Sequence, residues 1–438
     1  NYRGAHINLR WAEDVEEELR YAYQIQDAQE RIYVEGTWDI NSQEPLDVGH
    51  PQRIFERPVW VVLKAPGKEY YDQNMRYQRR LPITVLDNRY SSQPYGSYRQ
   101  RRSELLEYAA PREGDLFAEI RETIQATMRR VLPGEAGSEA LLTGLLGMVY
   151  RYEEDPGFPA EFIQLLQECA LNYPYEMEAQ AESQAILSYT CALLAGQRYP
   201  DLVFPTLQKT GQELRQQSES LTLEWLRGRG QGGFLEWDSN CYFEQVFLAL
   251  SHLTSLAENE TLRELAAVLM DKMLFLMAVN SFQGAYGCSH GRTAPSMIKS
   301  AQLEATSGVM RLFWGVGIFN PHISGAVSLA LSDYEFPTFF GEIATQQVKP
   351  TWSKEHHVAS PESEAAAGVE VNKVAYKTEE YLLSSAQDYR PGQPGKDEHI
   401  WQATMGPDAV VFSNHPACMS DSDAHRPGFW LGNAILPR

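Results

Sequence analysis

The segment Leu116–Val131, LFAEIRETIQATMRRV, gives the clearest indication of how this chain folds. Its apolar side chains recur at intervals of three and four residues, which places them on one face of an α-helix. These residues are Leu116, Phe117, Ile120, Ile124, Met128 and Val131. Similar stripes follow near residues 138–150, 160–172, 183–196, 206–227, 242–257, 261–279 and 299–314. The sequence therefore predicts about eight helices. Pairing them as helical hairpins would bury their apolar faces.

On both sides of this helical stretch the apolar pattern changes to a period of two, which is typical of β-strands. The expected strands lie within residues 31–38, 59–63, 81–86, 368–376, 381–386, 399–405 and 409–413. Because the strands precede and follow the helices instead of alternating with them, the pattern favours separate layers and an α+β chain. We expect a β-rich N-terminal region over residues 1–112, a helical region over 113–334 and antiparallel β-structure over 335–438.

Composition excludes several classes of function. The 438 residues include 38 Lys and Arg against 58 Asp and Glu, a net charge of −20, which argues against a nucleic-acid binder because phosphate recognition needs a basic face. No uninterrupted apolar window approaches the length of a membrane span, so we expect a soluble protein. The five cysteines form no Cys-x-x-Cys pair, which excludes a zinc ribbon.

The two ends of the chain give little information on location. Residue 1 is Asn, and no charged and then apolar leader follows it. The sequence does not distinguish a cytoplasmic protein from an exported one whose leader has been removed. We expect both ends to be cut, with the C-terminal β-structure truncated.

The first segment that could carry chemistry is residues 232–244, called the first loop below. It joins two predicted helices, and its polar side chains at positions two apart would share one face of an extended stretch. These side chains are Glu236, Asp238, Asn240, Tyr242 and Glu244. The alternative interpretation is a helix N-terminus, in which Asp238 or Ser239 caps the helix and Trp237 lies in the core.

The second segment is residues 284–295, called the second loop below, which also joins two predicted helices. Its three glycines allow a tight backbone path, and a His in so glycine-rich a loop is an unusual core residue. Arg292 follows His290 closely and can hold a carboxylate through two parallel hydrogen bonds. The alternative is a hydrogen-bonded structural His. We expect the two loops to meet across one cleft.

A third segment contains two His and two Asp that could bind a divalent metal ion, namely His415, Asp421, Asp423 and His425. Their spacing matches no tight metal-binding motif, and a polar loop at a domain contact is the alternative. We therefore expect no metal or other cofactor.

The first loop, from Glu236 to Tyr242, resembles the Glu-x-Asn-Ser-Pro-x-Tyr loop of proteins that contain an (α/α) toroid. Asp238 and Asn240 stand where that loop more usually has Asn and Pro. The Ser289-His290-Gly291-Arg292 sequence, followed by a helix and then a β domain, extends the likeness. The layout resembles polysaccharide lyases of the heparinase II/III, alginate-lyase and chondroitin-lyase type and their uncharacterised bacterial relatives. This resemblance implies an (α/α) toroid over residues 113–334 and an antiparallel β-sandwich over 335–438.

The resemblance also implies β-elimination at a uronic acid within a polysaccharide. That chemistry needs a neutralised carboxylate, a base for the adjacent proton and an acid for the departing oxygen. Asn240 and Arg292 suit the first role, His290 the second and Tyr242 the third, and one Tyr can act as both base and acid in related lyases. Glu236 would orient Arg292 or His290. The expected substrate-binding residues are Trp237, Asp238, Tyr286 and Trp314.

Two other functions remain open from the sequence. The toroid also occurs in glycoside hydrolases, which need a pair of carboxyl groups, and Glu236 and Asp238 are the candidates. A non-catalytic glycan-binding protein would keep the cleft without the chemistry.

Overall fold

The computed structural model describes most of the chain. The described residues are 6–7, 20–27, 32–39, 46–47, 59–64, 78–83, 91–109, 116–132, 134, 137–156, 158–178, 181–294, 297–298, 300–346, 349–358, 370–387, 400–407 and 409–413. The chain divides into two compact units, residues 1–86 and residues 87–438. The metal-binding candidates His415, Asp421, Asp423 and His425 lie outside the described residues.

The described part of the first unit consists of antiparallel β-structure. Its strands are β1 (His6–Ile7), β2 (Arg20–Asp27), β3 (Ile32–Asp39), β4 (Leu46–Asp47), β5 (Val59–Lys64) and β6 (Gln78–Ile83). Four of them form one sheet in the order β3-β2-β5-β6, and β1 pairs with β4. Tyr23 lies opposite Gly36 in this sheet, where a Cβ atom would stand 2.9 Å from the Tyr23 ring. The glycine therefore makes room for the buried tyrosine.

The second unit contains eleven α-helices within the described residues, and the α+β class predicted from the change of period is confirmed. The helices are α1 (Tyr98–Ala109), α2 (Leu116–Val131), α3 (Ser138–Tyr152), α4 (Ala160–Asn172), α5 (Glu182–Arg198), α6 (Gly211–Gly232), α7 (Phe243–Leu256), α8 (Glu260–Val279), α9 (Ser307–Trp314), α10 (Ser324–Leu331) and α11 (Phe339–Thr345). A short β-hairpin pairs β7 (Val203–Phe204) with β8 (Lys209–Thr210). Helices α5 and α7 are buried on nearly all sides, as expected of helices at the centre of a core. Among the described residues, no helix combines the length and the apolar character that crossing a bilayer requires.

Helix α1 lies within the region that the sequence predicts to be β-rich. Its buried residues are Arg101 and Leu105, so a charged residue interrupts the apolar stripe that would mark it as a helix. The Arg101 guanidinium donates to the carbonyl oxygens of Leu312 (2.9 Å) and Phe313 (2.8 Å) at the end of α9. Carbonyl groups at a helix C-terminus lack partners within the helix, and a nearby cation satisfies them. The arginine side chain therefore attaches α1 to the core together with Leu105, Tyr98 and Tyr108.

The second unit ends in a five-stranded antiparallel sheet in which each strand pairs with the next one along the chain. The strands are β9 (Thr351–Val358), β10 (Glu370–Lys377), β11 (Leu382–Ala386), β12 (Trp401–Gly406) and β13 (Ala409–Ser413). One face packs on the helical part and is lined with polar side chains. The buried polar residues of that face are His357, Lys373, Lys377, Ser384, Gln402 and Thr404. Lys377 donates to the carbonyl oxygens of Ala278 (3.3 Å) and Ser281 (3.2 Å), so the sheet covers the end of α8.

Candidate functional site

The two loops lie in direct contact. Gly291 of the second loop donates its backbone N–H to the Trp237 carbonyl oxygen at 2.7 Å. The Thr293 hydroxyl donates to Asn240 Oδ1 at 2.6 Å, which adds a side-chain link. The Ser239 hydroxyl accepts from the Tyr242 N–H at 3.1 Å and stabilises the turn that leads into α7. The first loop thus joins the second loop on one side and begins a helix on the other.

Trp237 packs between the loops and the C-terminal sheet. A Cβ atom on Gly291 would stand 2.5 Å from the Trp237 ring, so only glycine fits at that position. The ring also stacks on His357 of β9, with centroids 6.3 Å apart. Trp237 is 2% exposed, and its ring therefore forms part of the protein packing.

Tyr242 and Arg292 form the part of the site that reaches solvent. The Arg292 guanidinium lies over the Tyr242 ring at 4.7 Å, and its Nη2 atom is 3.4 Å from the phenolic oxygen. Arg292 Nη1 also donates to Glu236 Oε1 at 3.1 Å, which fixes the guanidinium in place. Burial raises the pKa of Tyr242, and the nearby Arg292 opposes that rise. A cation therefore lies beside a hydroxyl that could exchange a proton with a ligand.

A buried acid of α5 holds the first loop at its start. Glu182 Oε2 accepts from the Glu236 N–H at 2.9 Å, and Oε1 accepts from the Leu235 N–H at 3.1 Å. Arg229 Nη1 donates to the same carboxylate at 2.6 Å. Burial raises the pKa of Glu182, and Arg229 opposes the rise. No sequence pattern indicates this role, because a carboxylate that binds distant backbone N–H groups leaves no local signature.

Asn240 is fully buried next to a second buried acid, Glu304. The backbone carbonyl oxygen of Asn240 accepts from the Ala305 N–H at 2.9 Å. Glu304 Oε2 accepts from the Tyr286 N–H at 3.0 Å. Burial raises the pKa of Glu304 to about 8, although hydrogen bonds from Tyr286 and Asn240 oppose the rise. Glu304 is therefore mostly protonated at neutral pH. Sequence reasoning missed this residue because it lies beyond both loops.

Asp238 belongs to a buried charged cluster that connects the first loop to the sheet. Its backbone has a left-handed φ of 48°, and its side chain is fully buried. One carboxylate oxygen accepts from the Tyr286 hydroxyl, and the other pairs with the Lys373 ammonium of β10. Lys373 also pairs with Glu355 of β9 at 2.9 Å, and His357 Nε2 lies 3.2 Å from the Glu355 carboxylate. The cluster therefore joins three segments that are distant in sequence.

Lys373 is the cation that the two carboxylates of this cluster share. Burial, followed by the charge of Glu355, raises the pKa of Asp238, and Lys373 opposes the rise. Burial also acts to raise the pKa of Glu355, but Lys373 keeps it well below its ordinary value. Asp238, Glu355 and His357 offer ligand atoms within 4.8 Å of one another, a set that could hold a metal ion. Because the Lys373 ammonium already pairs with both carboxylates, it takes the place that a cation would occupy.

His290 is buried beside this cluster. Its Nδ1 atom hydrogen-bonds the Asp238 carbonyl oxygen, which fixes the tautomer with the proton on Nδ1. Its ring meets Tyr286 edge-on, with centroids 5.4 Å apart. His290 is 1% exposed and is therefore less accessible to solvent than Tyr242.

Trp314, at the end of α9, is also buried and packs against Gly341 of α11.

The structure thus gathers Glu236, Asn240, Tyr242, His290 and Arg292 around one loop contact. Trp237, Asp238 and Tyr286 join the same contact as buried side chains. This arrangement can present a guanidinium and a phenol to a bound anion. No family model matches the chain, and no curated protein or solved structure proved significantly similar to it.

Proposed function

We propose that this protein cleaves a polysaccharide by β-elimination at a uronic acid. The observation that carries the proposal is the pairing of Arg292 with Tyr242 at the solvent-accessible edge of the two loops. Arg292 would hold the uronate carboxylate, which makes the neighbouring C5 proton more acidic. Tyr242, ionised to the phenolate beside the Arg292 guanidinium, would remove that proton as the bond between C4 and the glycosidic oxygen breaks. The phenol formed in this step would then protonate the departing oxygen, which leaves a C4–C5 double bond in the product and regenerates the phenolate.

The other members of the site would support this pair. Glu236 holds the Arg292 guanidinium and so sets the direction from which a carboxylate can approach. Asn240 is fully buried and accepts from the Thr293 hydroxyl, which favours a role in holding the two loops together over the carboxylate contact expected from the sequence. His290 is buried and bound to the Asp238 carbonyl oxygen, which favours a positioning role over the role of base expected from the sequence. Because Tyr242 is half-buried and His290 is buried, a mechanism in which Tyr242 acts as both base and acid fits the structure better than one in which His290 is the base.

The fold proposed with this function is an (α/α) toroid followed by a β-sandwich. Consecutive helices that pack on one another, among them α5 with α6 and α7 with α8, support a toroid of helical hairpins. The five-stranded sheet would be one layer of the sandwich, and its polar face lies on the loops between helices. In this arrangement the reactive pair would lie at one end of the toroid, near the sheet.

Elimination fits the site better than hydrolysis does. A glycoside hydrolase with Glu236 and Asp238 would need both carboxyl groups available to substrate or water. Both oxygens of Asp238 are already engaged, one by Tyr286 and one by Lys373, and the side chain is fully buried. The second candidate is a non-catalytic glycan-binding protein. The burial of Asn240 and His290 favours it over a hydrolase, because binding does not require these groups to reach the substrate.

The proposal is tested by incubating the protein with a panel of polyuronates and neutral glycans. We expect ultraviolet absorbance from an unsaturated product with at least one polyuronate. Tyr242→Phe should lower that rate by about 10²–10⁴-fold, the usual contribution of a proton carrier. Tyr152→Phe changes an exposed tyrosine of α3 and is the matched control.

A second variant separates charge from geometry. Arg292→Lys keeps the positive charge but loses the forked hydrogen bonds, and should raise KM and lower kcat together. Arg227→Lys, at an exposed position of α6, is its control. New reducing ends without unsaturation would indicate hydrolysis, and no turnover of any polymer would favour the binding protein. Wild-type rates in Tyr242→Phe would refute the assigned role.

A further inference from the structure

A separate cavity of about 620 Å³ lies between α1 and α9. It is lined by Ser91, Tyr95, Arg99, Gln100, Ser103, Glu104, Glu107 and Arg311. None of these residues belongs to the candidate site, so a ligand here would not depend on the proposed elimination. The volume is within the range of small-molecule sites in proteins.

The cavity contains a buried cation whose hydrogen bonds are incomplete. Arg311 is 4% exposed, and its Nη2 atom contacts both oxygens of Glu104 at 3.1 Å. Its Nη1 atom has no acceptor among the residues that the structure describes. The Tyr95 ring covers the guanidinium at 4.5 Å and is itself 50% exposed. A buried guanidinium nitrogen without an acceptor is unfavourable, so an oxygen atom supplied by a ligand would stabilise this site.

The surrounding backbone is fixed in place. The Tyr95 N–H donates to the Gly315 carbonyl oxygen at 3.1 Å, and the Gly317 N–H donates to the Ser91 carbonyl oxygen at 2.8 Å. Gly315 has a left-handed φ of 77°, and a Cβ there would stand 2.5 Å from the Tyr95 carbonyl oxygen. Rotation of the Tyr95 side chain would uncover Arg311 without breaking these backbone bonds. The cavity therefore combines a hydrogen-bonded backbone frame with a half-exposed aromatic ring that covers Arg311.

We infer that this cavity binds a neutral saccharide unit. Its two arginines and two glutamates balance in charge, so the walls do not select an ion of either sign. The Glu107 carboxylate can accept hydrogen bonds from sugar hydroxyls, and the Gln100 amide nitrogen and Arg311 can donate to sugar oxygens. The exposed face of Tyr95 offers an aromatic surface of the kind that packs on the apolar face of a sugar ring.

The test begins with the whole chain on an array of neutral and charged glycans, followed by calorimetry with a retained neutral oligosaccharide. Ser103→Trp should abolish binding by filling the cavity, whereas Ser220→Trp, at an exposed position of α6, should not change it. Glu107→Gln should weaken binding about tenfold through loss of a charged acceptor, with Glu168→Gln, on the exposed side of α4, as its control.

The result must also be independent of the candidate site. Tyr242→Phe should bind the same oligosaccharide with unchanged affinity while losing any elimination activity. Retention of charged glycans alone, absence of any neutral ligand, or undiminished binding in Ser103→Trp would each overturn the saccharide site. Loss of binding in Tyr242→Phe with full binding in Ser103→Trp would assign the ligand to the two loops instead.

Discussion

Replacing Glu304 with glutamine should change how the stability of the second unit depends on pH. The carboxyl group is buried, and its pKa rises from an ordinary value of 4.5 to about 8. A carboxyl with a raised pKa binds its proton more tightly in the folded state, so stability falls as pH rises from about 4.5 to 8 and is then constant. At about 1.4 kcal/mol per pH unit, this interval corresponds to at most about 5 kcal/mol. Glutamine has nearly the same shape and does not ionise.

The assay is urea unfolding of the wild type and Glu304→Gln at pH 5, 6, 7 and 8, with amide exchange in α9 to confirm which unit unfolds. Near pH 5 the two proteins should differ little, because both side chains are then uncharged. By pH 8 the glutamine variant should be the more stable by a few kcal/mol. A difference that stays constant from pH 5 to pH 8 would mean that Glu304 titrates normally, and the burial argument would fail.

Two further predictions concern the contacts that hold the loops. Lys373→Met should destabilise the second unit by about 3–5 kcal/mol, because it leaves two carboxylates buried without a cation. The control Lys354→Met, on the exposed surface of the sheet, should change stability by less than about 0.5 kcal/mol. Equal effects in urea unfolding would contradict the buried ion pairs. Gly291→Ala should lower stability by about 1–3 kcal/mol, because the added methyl group would clash with Trp237. The control Gly144→Ala, at an open helical position, should raise stability by up to about 1 kcal/mol. Similar changes in thermal unfolding would refute the close contact.

Helices with a clear apolar face could be predicted from the sequence, and helix α1 could not. Ile124, Met128 and Val131 of α2 are buried at the spacing that predicted them. Helix α1 buries Arg101 beside Leu105, because the carbonyl groups at the end of α9 give the guanidinium partners inside the protein. Local patterns report apolar burial well. They do not report polar groups whose partners come from distant segments.

The C-terminal sheet is a second case in which buried polar side chains could not be predicted from the local pattern. In β10, Lys373 and Lys377 alternate with Val374 and Tyr376, and the usual rule would turn the lysines toward solvent. The structure has the reverse orientation, with the two lysines 1% and 6% exposed. Buried lysines are tolerated only where oxygen atoms compensate for lost water. Those atoms belong to Asp238, Glu355 and helix-end carbonyl groups, which no pattern within β10 can indicate.

This reversed strand also connects the sheet to the pair formed by Arg292 and Tyr242. Lys373 binds the Asp238 carboxylate, and the carbonyl oxygen of the same Asp238 accepts from His290. Arg292 lies two residues further along and reaches Tyr242. Asp238 has a left-handed backbone, which its side-chain partners Lys373 and Tyr286 help to hold. We therefore expect loss of the Lys373 contact to shift the second loop at His290, whereas Glu236 continues to hold the Arg292 guanidinium beside Tyr242.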